Sequence, residues 1–196
     1  MFTFQLRRLI DTPFAAAAGK LAGSPVDAIS VTMSGFAAGL VAFGCVATHR
    51  PLVGLTFLVL NRALAALARS LAGLKVPTDI WTYLDRVLDF LIGAGMPLAF
   101  ALGDPSRALA ATFLVLSLAC AGTALLALQA IAAQRGHSSV DDGAEGYSLA
   151  ERTMIFVAFA VACLAPAWFS IIAYVVGVLY FVLMGIRVAN AVESLR

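Results

Sequence analysis

Two stretches of this chain, residues 28–48 and 108–133, contain no Asp, Glu, Lys, Arg or His. An uncharged run beyond about eighteen residues is long enough to cross the hydrocarbon core as a helix, and in lipid a helix is one of the few structures that satisfies its own backbone. Residues 51–68 form a further apolar stretch broken only by Arg62, which must face a neighbouring helix or a polar cavity. Another begins near Asp85 and runs to Gly103, with its carboxylates confined to the first turns. Residues 153–186 are too long for one span, and Pro166 followed by Ala167 and Trp168 predicts a tight turn between two helices. The reading is an all-α integral membrane protein with six transmembrane helices. With 62% hydrophobic and 12% charged residues, the chain has too little polar surface to cover a water-soluble globule.

Residues 1–22 are read as a separate interfacial amphipathic helix. Phe2, Phe4, Leu6, Leu9, Ile10 and Phe14 interleave there with Arg7, Arg8 and Asp11, a pattern suited to the headgroup region. Residues 23–196 form the six-span domain, with Ser24, Pro25 and Asp27 supplying turn and N-cap chemistry for the first span. If both ends lie on one side, only Arg50 and Arg107 of the 13 Lys and Arg residues fall opposite. Basic residues gather on the cytoplasmic face, so both termini are expected there, in a multi-pass protein of a bacterial inner membrane. The net charge of +2 then reflects topology and not nucleic-acid binding.

Other polar and small residues are read as structural. Cys45, Cys120 and Cys163 fall in separate spans with no paired spacing and serve as small packing residues. His49 and His137 lie on opposite sides in this topology and cannot build one metal site. Gly35 and Gly39 make a GxxxG spacing that serves either packing within the chain or dimerisation. Residues 135–152 have the composition of a hydrated connector. A small transporter or channel is disfavoured because the aspartates sit at a helix end instead of the midplane.

Residues 60–102 read LNRALAALARSLAGLKVPTDIWTYLDRVLDFLIGAGMPLAFAL. This stretch resembles the CDP-alcohol phosphatidyltransferase family, six-helix membrane enzymes with the pattern D-x2-D-G-x2-A-R-x8-G-x3-D-x3-D. The end of the pattern stands here as Asp85 and Asp89, flanked by Tyr83-Leu84 and Phe90-Leu91, and Leu60-Asn61-Arg62 resembles the segment leading into it. Pro166-Ala167-Trp168-Phe169 and the six-span layout fit as well. The resemblance implies transfer of a phosphatidyl or phosphoalcohol group from a CDP-linked donor, with divalent cations between the first three aspartates and the fourth as general base.

The degenerate positions change that expectation. The first two motif aspartates fall on Ala65 and Ala68, the motif glycine on Arg69, the Ala-Arg pair on Ala72 and Gly73, and the second glycine on Trp81. No carboxylate occurs between Asp27 and Asp79, so no shift of register restores the missing ligands. Asp85 would remain as a metal ligand and Asp89 as general base only in an active enzyme using Mg2+ or Mn2+; otherwise no cofactor is expected. Asp79 is placed in a loop before them. Arg69 is expected to form a salt bridge with Asp85 or Asp89 where metal charge would otherwise lie. The sequence therefore predicts a catalytically inactive member acting as a structural or regulatory subunit of a membrane assembly. The alternative is a divergent phosphatidyltransferase of phospholipid synthesis. Membrane lipids, a second copy in a homodimer, or a larger membrane protein complex are the expected partners.

Overall fold

Helix caps in the computed structural model explain where the apolar runs begin and end. The structure describes residue 19 and residues 27–74, 78–134 and 142–195. The interfacial helix expected over residues 1–22, with Ser24 and Pro25, lies outside the described residues. Six helices follow: α1 (Ala28–Ala47), α2 (Pro51–Leu74), α3 (Asp79–Gly103), α4 (Ala108–Gln134), α5 (Asp142–Leu164) and α6 (Phe169–Leu195). Among the described residues, five are long and apolar enough to cross a membrane: α1, α2, α3, α4 with its preceding turn, and α6 with its preceding turn.

Asp27 takes extended backbone and its carboxylate accepts the Ser30 amide at 2.8 Å, capping α1 as its residue type dictates. At the other end of α1, Arg50 donates its amide to the Cys45 carbonyl at 2.8 Å and His49 donates to Val46 at 3.2 Å. This is the Schellman arrangement, and it places His49 at φ 61°, where glycine is the usual residue. Pro51 then starts α2, its missing N–H falling where a helix has no acceptor for it. Thr78 caps α3 by accepting the Trp81 amide at 3.2 Å.

Asp79 is therefore the exposed first residue of α3, a correction to its placement in a loop. The connector read over residues 135–152 is also shorter than expected, since α5 is helical from Asp142. Pro105–Arg107 and Pro166–Trp168 form short 3-10 turns, the second where the long apolar run was expected to break.

The chain divides into two compact units between Gly93 and Ala94. In the first, α1 packs along α2 through small residues. A Cβ at Gly35 would lie 3.3 Å from Leu64 Cβ, and one at Gly39 would lie 2.6 Å from Ile92 Cδ1, so the GxxxG pair serves packing within the unit. In the second, α4 packs against α6, with a Cβ at Gly177 only 2.6 Å from the Phe113 ring. Phe100 stacks on Phe169 with ring centroids 4.3 Å apart. Large apolar side chains such as Leu109, Tyr83, Ile80 and Leu164 are exposed, the pattern of helices whose outer solvent is hydrocarbon.

Candidate functional site

One face of α2 carries Asn61, Arg62, Ala65, Ala68, Arg69 and Ala72, spaced three or four apart so that they stack along the helix. α3 presents Asp85, Leu88, Asp89 and Ile92 by the same rule. Between these faces and α1 lies a shallow open cleft with a cavity volume of only about 20 Å³, lined by Thr32, Asn61, Arg62, Ala65, Asp85 and Asp89 among others. Specific small-molecule pockets usually run from roughly 300 to 1,000 Å³, so the cleft as it stands falls far below that range.

The cleft's charges face one another. The Arg62 guanidinium donates through Nη2 to Asp89 Oδ1, with the two side chains only 21% and 12% exposed. Arg62 Nε also donates to Asn61 Oδ1 at 3.0 Å, and the buried Asn61 amide donates to the Gly35 carbonyl at 2.8 Å. A chain of hydrogen bonds thus runs from the α1 backbone through α2 to α3, and it holds the guanidinium in one orientation. Arg69 Nη1 stands 3.7 Å from Asp85 Oδ1, an ion-pair separation beyond hydrogen-bond length.

The degenerate positions occupy distinct surroundings. Ala65 lines the cleft. Ala68 is fully enclosed, packed with Val31 and Leu71. Gly73 is exposed, and a Cβ there would meet nothing within 4 Å. Trp81 reaches across to α1, where its indole N–H donates to Thr32 Oγ1 at 3.1 Å, and the Thr32 hydroxyl donates in turn to the Ala28 carbonyl. Arg69 faces Asp85 at ion-pair distance, whereas the sequence reading expected hydrogen-bond reach of Asp85 or Asp89. The guanidinium held against Asp89 is that of Arg62, a partner the sequence reading did not assign. The available signal was Arg62's position as the lone charge in an apolar run, because a charge at that depth needs a counter-ion.

A second polar group was also missed. Arg187 Nη2 donates to Glu151 Oε1 at 2.5 Å, both side chains 13% exposed, and Arg187 Nη1 donates to the Ala121 carbonyl at 3.3 Å. The Tyr180 hydroxyl donates to the Glu151 carbonyl at 2.8 Å, so α4, α5 and α6 are tied at one level.

Divalent cations do not fit the donor set in the cleft. Two hard cations require many anionic oxygens, whereas here each of two carboxylates already faces a guanidinium. Among the described residues, no three His, Cys, Asp or Glu side chains are grouped so as to hold a metal ion.

No protein-family model matches the chain, and no solved structure matches it. The chain is 32% identical over 176 residues to the inner membrane protein YnjF of Escherichia coli (strain K12), an alignment covering 85% of this chain and 83% of that one. With its all-helical fold and its apolar spans, the chain belongs to the family of the inner membrane protein YnjF.

Proposed function

We propose that this protein is a non-catalytic relative of the CDP-alcohol phosphatidyltransferases that serves as a structural or regulatory subunit of an inner-membrane assembly. The observation that carries this reading is the pairing of Arg62 with Asp89 and of Arg69 with Asp85. In the resembling family those aspartates face metal and acceptor. Here Asp89 is held by the Arg62 guanidinium and Asp85 faces that of Arg69, so both carboxylates are engaged within the chain. Ala65 and Ala68 supply no oxygen, and the enclosure of Ala68 leaves no room for a ligand beside it.

Six spans are proposed, α5 being the sixth, with both termini in the cytoplasm. This places eleven of the thirteen basic residues inside, Arg50 and Arg107 excepted. Reporter fusions at each end check the arrangement, and an external signal from either terminus would refute it.

The enzymatic claim is tested with purified protein, CDP-diacylglycerol or CDP-alcohols, and magnesium or manganese. No transfer is expected. Turnover that disappears in Asp89→Asn would establish the divergent transferase instead. The subunit claim is tested by mild-detergent purification from native membranes and mass spectrometry of the intact particle. A stoichiometric membrane-protein companion is expected, and a chain that always travels alone would refute it.

A further inference from the structure

The cleft of the first unit is too small for an organic ligand, yet Thr32, Asn61, Arg62, Asp85 and Asp89 all turn polar side chains to it. A cavity holds a water once roughly 10–15 Å³ is open to the water's centre and two to four polar partners surround it. At about 20 Å³, the cleft meets the first condition, and its lining meets the second. The Arg62 guanidinium has further N–H donors beyond the Nε and Nη2 contacts that it makes to Asn61 and Asp89. Each carboxylate offers about four acceptor sites, more than one guanidinium contact fills. Asp85 stands 3.7 Å from Arg69 Nη1, too long for a direct hydrogen bond and the kind of gap that water bridges.

Charge decides between a water and an ion. Arg62, Asp85 and Asp89 line the cleft and Arg69 stands beside Asp85, so the four charges sum to zero. A bare cation gains little from such a site. A neutral molecule that both donates and accepts matches guanidinium and carboxylates together.

We propose that this cleft is a binding site for one ordered water, which joins the Asp85 and Asp89 carboxylates to the Arg62 guanidinium. The two aspartates stand four positions apart on one face of α3, so a single molecule between them reaches both. The water extends the hydrogen-bond chain that runs from Gly35 through Asn61 and Arg62 to Asp89, and it links the two ion pairs into one polar layer. Thr32, Asn61 and Asp85 are buried, so a partner supplied there acts where bulk water is largely excluded. The inference rests on the size and charge of the cleft and not on the loss of catalysis.

The test is water–methyl nuclear magnetic resonance on the full chain in lipid nanodiscs, with alanine and leucine methyl groups labelled. The Ala65 and Leu88 methyls line the cleft, whereas Ala68 packs in the apolar cluster with Val31 and Leu71 and serves as the internal control. Water cross-peaks are expected at Ala65 and Leu88 and none at Ala68, with the opposite NOE and ROE signs of a water that stays in place. Missing cross-peaks at Ala65 and Leu88, or signs typical of bulk hydration, overturn the proposal. Ala65→Val fills the cleft and should abolish the Leu88 cross-peak. Its survival in the folded variant would assign the signal to exchanging Arg62 or Thr32 protons and also overturn the proposal. Should Ala65→Val not fold, the smaller Ala65→Ser, whose hydroxyl takes the same space, replaces it. An ion is tested by thermal unfolding of the wild-type chain in sodium, potassium or magnesium chloride at constant ionic strength. No cation-specific shift in Tm is expected, and one that Asp85→Asn removes would show a cation site instead.

Discussion

Removing the Arg62 guanidinium is expected to be among the most damaging single changes to the first unit. Asp89 is 12% exposed and Arg62 is 21% exposed. Truncating one partner of a buried ion pair typically costs about 3–5 kcal/mol, because the remaining charge stays desolvated. Partial access of water to the open cleft puts Arg62→Ala near the lower end, at about 3 kcal/mol. Arg69 is 33% exposed and stands 3.7 Å from Asp85, so Arg69→Ala should cost about 1 kcal/mol or less. For a chain of this size each kcal/mol shifts Tm by about 2–4 °C, giving losses of about 6–12 °C and at most about 4 °C.

The assay is thermal unfolding in detergent followed by circular dichroism, arranged as a double-mutant cycle with Arg62→Ala, Asp89→Asn and both. The double variant should recover about 2 kcal/mol relative to the sum of the single losses. Arg62→Lys should retain only part of the wild-type stability, since a point charge cannot reach Asn61 and Asp89 together as the fork does. Additive losses, or a larger loss for Arg69→Ala than for Arg62→Ala, would refute the assignment of Arg62–Asp89 as the central clamp.

The same unfolding assay checks three further expectations. His49→Gly should stabilise the protein by about 1 kcal/mol, because His49 sits at φ 61° and carries a Cβ into a left-handed conformation. Gly73→Ala should stabilise by about 0.5–1 kcal/mol since a methyl group there meets nothing, whereas Gly54→Ala should destabilise by about 1–3 kcal/mol because its Cβ would lie 2.6 Å from Val46 Cγ2 and 3.1 Å from the Ala42 carbonyl. Glu151→Ala should cost about 3 kcal/mol, leaving Arg187 13% exposed with only its backbone contact to Ala121.

The helices were legible because lipid imposes a simple rule on sequence. Runs without charge gave α1 and α4, and Pro166 gave the break before α6. Asp27 was legible as an N-cap from its residue type and position. Partner choice was not, because a charge within an apolar run announces that it has a counter-ion without naming which. Arg62 and Arg69 stand seven positions apart on the same face of α2, and Asp85 and Asp89 four apart on α3. The crossing of the two helices sets which guanidinium meets which carboxylate, and crossing depends on small residues such as Gly35 and Gly39 on a third helix. Glu151 was concealed for another reason. The charged and glycine-rich residues before it read as a connector, whereas helical structure starts at Asp142 and carries Glu151 into the packed part of the second unit.

The ion pairs that tie helices together are Arg62 with Asp89 and Arg69 with Asp85 in the first unit and Arg187 with Glu151 in the second. Neutral pairing suits a membrane interior, where an unmatched charge is expensive, but it is the opposite of what a cation-dependent transfer site requires. Such a site needs excess negative charge to hold divalent ions, and the two arginines offset the charge of Asp89 and Asp85. On the proposed reading, restoring carboxylates at Ala65 and Ala68 alone would therefore not rebuild the site. The new charge at Ala68 would enter the apolar cluster with Val31 and Leu71, and Arg62 and Arg69 would still hold Asp89 and Asp85. On that reading the arginine pairs and the alanines form one coordinated set, and the pairs themselves join α2 to α3.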